Sequence, residues 1–193
     1  MTEGKEAINE ELFESEAPGK ESKSSPFWAF IKETVFIVIA AFLFSFVIRL
    51  FIVEAFTIQQ HSMDPTLHDS DRVLVSKFIY RLSDIEDGDI IILKSPMNKT
   101  DFVKRVVATE GQTIEIKEGV LVIDGKPVEE SYIKNHDLSG LEPIEIPQDY
   151  VFVAGDNRPN SYDSRIFGPI PEDDVVGKVF FIYWPVDRIG LVN

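Results

Sequence analysis

Apolar and polar positions divide the chain into three stretches. From Thr34 to Ile48 it runs TVFIVIAAFLFSFVI without a charge, and after Arg49 it continues as LFIV. About 20 residues of helix span roughly 30 Å, the thickness of a bilayer's hydrocarbon core. The segment has no polar face, so it predicts a membrane-spanning helix rather than one packed on a single side. We place this helix at 27–55, with Arg49 near one end, where its long stem lets the charge reach the interface. A cleavable signal peptide fits poorly, because the apolar stretch is long and no small-residue cleavage site follows it.

After residue 56 the pattern changes to short β-branched runs: RVLV (72–75), DIIIL (89–93), TIEI (113–116), VLVI (120–123), YVFVA (150–154) and KVFFIYW (178–184). Turn signals separate them. Asp124-Gly125 is a strong two-residue hairpin signal, and Gly88-Asp89 and Lys117-Glu118-Gly119 punctuate their neighbours. No long amphipathic helix is predicted here, so residues 56–193 read as mostly β. Residues 1–26 are rich in Glu, Ser, Gly and Pro and poor in apolar side chains. They cannot offset chain entropy by burial and are predicted to be a disordered tail.

With 193 residues, the chain has room for one compact domain and an appendage, or for two small domains. Thirty-three acids against 19 bases give a net charge of −14, which argues against nucleic acid as the main partner. The absence of cysteine excludes disulfides, thiol catalysis and cysteine zinc sites. Three histidines, His61, His68 and His136, leave little material for a histidine metal site. Lys20, Lys23 and Lys32 precede the apolar span, and only Arg49 and Arg72 follow it closely. This asymmetry predicts a single pass with the tail inside and residues 57–193 outside.

Three segments carry candidate chemistry. In Gln60-His61-Ser62-Met63-Asp64-Pro65-Thr66-Leu67, Pro65 enforces a non-helical turn, which predicts an exposed Ser62 beside free backbone N–H groups, as a nucleophile requires. In Phe102-Val103-Lys104-Arg105-Val106-Val107-Ala108, an inward Lys104 would lose hydration, lowering its pKa toward that of a useful base. The third segment, Gly155 to Arg165 (GDNRPNSYDSR), packs small polar residues and opposite charges into a hydrogen-bonded loop. His61 adjoins Ser62, but neighbours in extended chain point to opposite sides, so it is badly placed to take the serine proton.

Taken in this order after one apolar span, the segments resemble the bacterial type I signal peptidases, membrane-anchored Ser/Lys peptidases. The resemblance rests on Ser62-Met63-x-Pro-Thr-Leu, Gly88-Asp89-Ile-Ile-Ile, Lys104-Arg105-Val-Val and Gly155-Asp156-Asn157-Arg158-x-Asn-Ser161-x-Asp163-Ser-Arg165. It implies a mainly antiparallel β catalytic domain with a small second β subdomain at about 109–150, in the short single-span form. It implies Ser62 as nucleophile, Lys104 as general base and Ser161 as the serine that orients the lysine amine. Asp163 and Arg165 would brace the loop, and Asp156 would pair with Arg105. Phe56, Ile58, Met63, Leu67 and Val103 would line shallow pockets that accept Ala-x-Ala. The implied partners are signal peptides of exported preproteins and the lipid bilayer, with no metal, no organic cofactor and a monomer expected. Many family members carry Gly or Ser two places before the nucleophile, where this chain has Gln60. The Ser62 N–H is expected to be one oxyanion donor, and the Gln60 amide or backbone to contribute the second.

Two other readings fit parts of the pattern. A self-cleaving repressor type of Ser/Lys peptidase calls for a DNA-binding helical domain or a soluble chain. A membrane-anchored β-domain that only binds partners would not need Ser62 or Lys104.

Overall fold

The structure, a computed structural model, describes residues 26–95, 100–134 and 139–192. The acidic segment 1–25 and His136 lie outside the described residues. Helix α1 runs from Pro26 to Phe51. Proline suits its first position, where the missing N–H has no helical partner. Over Phe27–Val47 the mean hydropathy is 2.1 and none of that stretch is buried, so it is long and apolar enough to cross a membrane.

The helix stops four residues short of the expected 55, because Val53–Thr57 forms strand β1 and pairs with β2, Arg72–Ser76. The apolar run LFIV conceals this switch from helix to strand. The other strands are β3 (Ile90–Leu93), β4 (Phe102–Ala108), β5 (Thr113–Lys117), β6 (Val120–Ile123), β7 (Lys126–Pro127), β8 (Leu141–Glu145), β9 (Tyr150–Ala154), β10 (Ile170–Pro171), β11 (Val175–Trp184) and β12 (Gly190–Leu191). One short helix, α2, covers Ser164–Phe167.

The fold is mainly antiparallel β. The larger sheet has the order β1-β2-β11-β3-β4-β9-β10, with β12 added to β11, and a second sheet has the order β7-β6-β5-β8. Two-residue loops close both hairpins of the second sheet. Glu118-Gly119 and Asp124-Gly125 take positive φ at both positions (49° and 80°, 50° and 75°), the turn whose twist matches that of the flanking strands.

Strand β3 is buried on both faces. Ile90 and Ile92 join a core with Ile58, Met63, Leu67, Val73, Val75, Val103, Val179 and Ile182, whereas Ile91 and Leu93 join Ile85, Val106, Val151, Val153 and Ile170. Strand β4 feeds both cores and, through Val107 and Ala108, a third one beneath the second sheet. Residues in the middle of β4 therefore lie among apolar side chains, and Lys104 is one of them.

Candidate active site

Lys104 pairs with Ile91 of β3, and its neighbour Arg105 pairs with Ala154 of β9, so the lysine sits inside the sheet. Its Nζ lies 2.8 Å from Ser62 Oγ and 3.1 Å from the Val103 carbonyl, with the Phe102 ring centroid at 5.4 Å. Burial pushes the amine's pKa down from 10.5 to about 8. The Asp163 and Asp156 charges resist that shift and the Arg165 charge adds to it. An unperturbed lysine is neutral in roughly one molecule in a few thousand at pH 7. Lowering the pKa to about 8 makes the neutral amine a substantial species near physiological pH, and such an amine beside a hydroxyl can accept its proton.

Ser62 stands on the loop between β1 and β2, and it is buried there rather than exposed as its turn predicts, because the loop packs against β4 and Asn157. Ile58 N–H to Asp71 O (2.8 Å) and Ser70 N–H to Ile58 O (2.9 Å) close the base of that loop. Asn157 holds its tip: its backbone N–H donates to Ser62 O (3.0 Å) and its Nδ2 to His61 O (2.9 Å). The Ser62 N–H makes no hydrogen bond among the described residues. Gln60 has φ of 99°, a region that glycine tolerates better, and its N–H donates to Asp69 Oδ1 at 2.9 Å. That bond, followed by one from the Ser70 hydroxyl, holds the Asp69 carboxyl below its usual pKa. The backbone N–H of Gln60 is therefore already engaged, which removes it from the expected oxyanion donors and leaves the side-chain amide. His61 is exposed and turns to Asp64 Oδ2, 3.0 Å away, while His68 lies against Arg188.

Behind the Ser62–Lys104 pair lies a layer of buried charge. Asp156 receives Arg105 Nε and Nη2, both at 2.9 Å, and the Thr66 hydroxyl at 2.5 Å, which ties β4 to the serine loop. Arg105 Nη1 also donates to Gly88 O at 2.8 Å, and the Tyr132 ring stacks on its guanidinium at 4.0 Å. Asp163 accepts Arg165 Nε and Nη2, each at 2.8 Å, and the Gly155 N–H at 3.0 Å. Burial alone would raise the Asp163 pKa, but the hydrogen bond and charge of Arg165 outweigh it and hold the carboxyl below its usual range. Arg158 donates to Gly155 O at 3.1 Å and forms a buried ion pair with Glu130. Removing one partner of such a pair strands the other charge and costs about 3–5 kcal/mol.

Ser161 departs from expectation. Its Oγ is buried, forms no hydrogen bond to Lys104, and lies beside the Asp163 carboxylate without reaching hydrogen-bond geometry. The lysine amine is turned to Ser62 Oγ and Val103 O instead.

A cleft of about 310 Å³ opens on the pair. Of the five expected lining residues, Phe56, Ile58 and Val103 do line it, joined by Ile92, Phe102 and Asp101. Met63 and Leu67 do not; both are fully buried in the core beneath. The turn after Ser62 sends residue 63 inward, and the Leu67 N–H bond to Met63 O (3.0 Å) brings Leu67 to the same side. These side chains support the cleft floor, each worth about 1.5–3 kcal/mol of burial.

The sequence reading missed several residues that hold the site. Thr66, Asn157 and Arg158 lie within the polar motifs, but their type alone does not reveal the partners they hold. Glu130, Tyr132 and Arg188 carry no local signal, since their partners lie far away in the chain.

Residues 30–184 match the family described as signal peptidase, peptidase S26. The chain is 39% identical over 163 residues to signal peptidase I P of Bacillus subtilis subsp. natto, covering 79% of this chain and 88% of that protein. It is 36% identical over 173 residues to signal peptidase IB of Staphylococcus aureus, covering 80% and 90%. It is also 33% identical over 192 residues to probable signal peptidase I-2 of a Synechocystis species, covering 96% and 87%.

Proposed function

The chain belongs to the signal peptidase family of S26 peptidases and is a serine peptidase; from that premise we propose that it cleaves signal peptides from exported preproteins with a Ser62–Lys104 dyad. The observation that carries this reading is the 2.8 Å approach of a buried amine to a hydroxyl on a braced loop.

In the first step neutral Lys104 takes the Ser62 proton as Oγ bonds to the scissile carbonyl carbon. The resulting oxyanion faces the Ser62 N–H. Collapse of the intermediate breaks the C–N bond, and the lysine ammonium gives its proton to the leaving amine. Water then attacks the acyl ester, again losing a proton to Lys104, and Ser62 Oγ leaves and is reprotonated. Arg105, Asp156, Asp163 and Arg165 hold these groups in place without touching the reacting atoms.

The walls formed by Phe56, Ile58 and Val103 favour small side chains by overlap with larger ones, which suits cleavage after Ala-x-Ala. Helix α1 anchors the chain in the cell membrane, with its N-terminal side cytoplasmic and residues 56–193 outside. Holding the site at the membrane raises the local concentration of substrates embedded there. We assign residues 1–26 as a cytoplasmic tail and the protein as a monomer without a metal or organic cofactor.

The test is incubation of the full chain, in detergent, with a precursor carrying an Ala-x-Ala signal peptide. A single cut is expected, and kcat/KM should rise tenfold per pH unit below about 8 and level off above it, as a base with the Lys104 pKa requires. An uncut precursor, or a rate flat from pH 5 to 9, would overturn the reading.

Gln60 supplies the second oxyanion donor through its side-chain amide. Gln60→Ala should therefore lower kcat by about 10²-fold, the size of effect seen when one such donor is removed. Undiminished turnover in that variant would show that the amide is not a donor.

A further inference from the structure

The family match ends at residue 184, and the eight residues 185–192 fold back beside the serine loop. Pro185 O accepts the Arg188 N–H at 3.0 Å, which sets a tight turn over Val186–Arg188. Strand β12 then pairs with β11 through Phe181 with Leu191 and Ile182 with Gly190, and the Val192 N–H donates to Phe180 O at 3.1 Å. Val192 packs on the core that contains Ile58, Met63 and Leu67. The strap is thus fixed to the sheet at both ends of its turn.

From this base Arg188 reaches the loop that carries Ser62. Its Nη2 lies 3.0 Å from Thr66 O and 3.0 Å from Asp71 Oδ2, and its Nη1 lies 2.6 Å from His68 Nδ1. Asp71 is buried and also accepts the His68 N–H at 2.8 Å, so Arg188 Nη1 and Nη2 join the loop's acceptors in one cluster, while the buried Nε makes no hydrogen bond among the described residues. Thr66 is gripped from two sides, its hydroxyl by Asp156 and its carbonyl by Arg188. The main-chain bonds at residues 58, 70 and 71 secure only the base of the loop. The grip on Thr66 acts four residues from Ser62.

We propose that Arg188 is a positioning residue for the proposed reaction: the C-terminal strap, through its guanidinium fork, fixes the loop that presents Ser62 to Lys104. The inference rests on the Ser62–Lys104 reading above. A fork with several planar donors can serve three acceptors at once, whereas a lysine ammonium can replace only part of that pattern. Small displacements of a reacting group lower turnover steeply, while binding in the cleft, whose walls Arg188 does not join, is left alone.

The experiment measures precursor cleavage by the full chain in detergent for wild type, Arg188→Met, Arg188→Lys and Ser62→Ala. Methionine keeps an apolar stem and removes the fork. For Arg188→Met, kcat should fall at least tenfold with KM within twofold. Arg188→Lys should recover part of the loss by keeping the bond to Asp71. Turnover within twofold of wild type in Arg188→Met, or a loss no larger than its unfolded fraction by circular dichroism, overturns the proposal. Should Arg188→Met fail to fold, Arg188→Lys decides: a clear fall in kcat at constant KM supports the role, and wild-type kcat overturns it. Ser62→Ala separates the two readings. If it still cleaves, the dyad reading and this inference both fall; if it is dead while Arg188→Met is fully active, only this inference falls.

Discussion

Lys104→Met is expected to abolish precursor cleavage, lowering the rate by about 10⁴-fold or more, and at the same time to make the protein more stable. The loss of rate follows from removing the base at 2.8 Å from Ser62 Oγ. The gain in stability follows from linkage. The folded-state pKa is about 8 against 10.5 for a free lysine, so between those values the unfolded chain binds more protons and stability rises with pH. Below about 8 both states carry the charge, and the folded protein bears the full cost of burying it, up to about 3 kcal/mol at 1.36 kcal/mol per pK unit. Methionine fills the space without a charge, so its unfolding free energy at pH 7 should exceed wild type by about 1–3 kcal/mol. Denaturant unfolding of the two proteins at pH 7 and pH 10 checks this, and the difference should shrink at the higher pH. A less stable Lys104→Met would mean that the amine's hydrogen bonds outweigh its desolvation. Ser62→Ala should match the loss in rate, and the double variant should be no worse than either single one, because the two groups act in one step.

Gly155→Ala is the second large effect. A Cβ at residue 155 would overlap Ser161 Oγ and the Ser62 carbonyl oxygen and would sit 2.7 Å from Ser161 Cβ. Ser161 can rotate its hydroxyl away, but the Ser62 carbonyl is backbone and is held by the Asn157 N–H. Relief therefore requires the serine loop to move away from the Gly155–Arg165 loop. A shift of about 1 Å in a reacting group can cost 10²-fold in rate, and overpacking a tight site costs about 1–3 kcal/mol. We expect kcat to fall at least about 100-fold, with a lower melting temperature. Wild-type turnover in this variant would mean that the two loops can separate without displacing Ser62 from Lys104.

Much of the architecture could be read from local pattern. β-branched runs marked β2, β3, β5, β6, β9 and most of β11, and Asp124-Gly125 marked its hairpin. Strand β1 was hidden because the apolar span runs into it without a break, and β8 because LEPIE has a proline and few apolar side chains. β10 and β12 are two residues long and exist through pairing with longer strands. In the site, the residues of the three motifs were legible as types, but their directions were not. Met63 and Leu67 look like pocket residues by position and turn into the core, and Ser161 lies beside Asp163 rather than bonding Lys104.

The sequence by itself determined the long apolar helix, the β-rich remainder and the three polar segments, because helix, strand and turn preferences act over a few neighbouring residues. Only the tertiary structure decided that Lys104 is buried, that its amine meets a hydroxyl 42 residues away, and that Arg188 grips the same loop from near the far end of the chain. A pKa near 8 and a 2.8 Å approach are properties of what surrounds a group once the sheets have packed. No local run of residues encodes that environment.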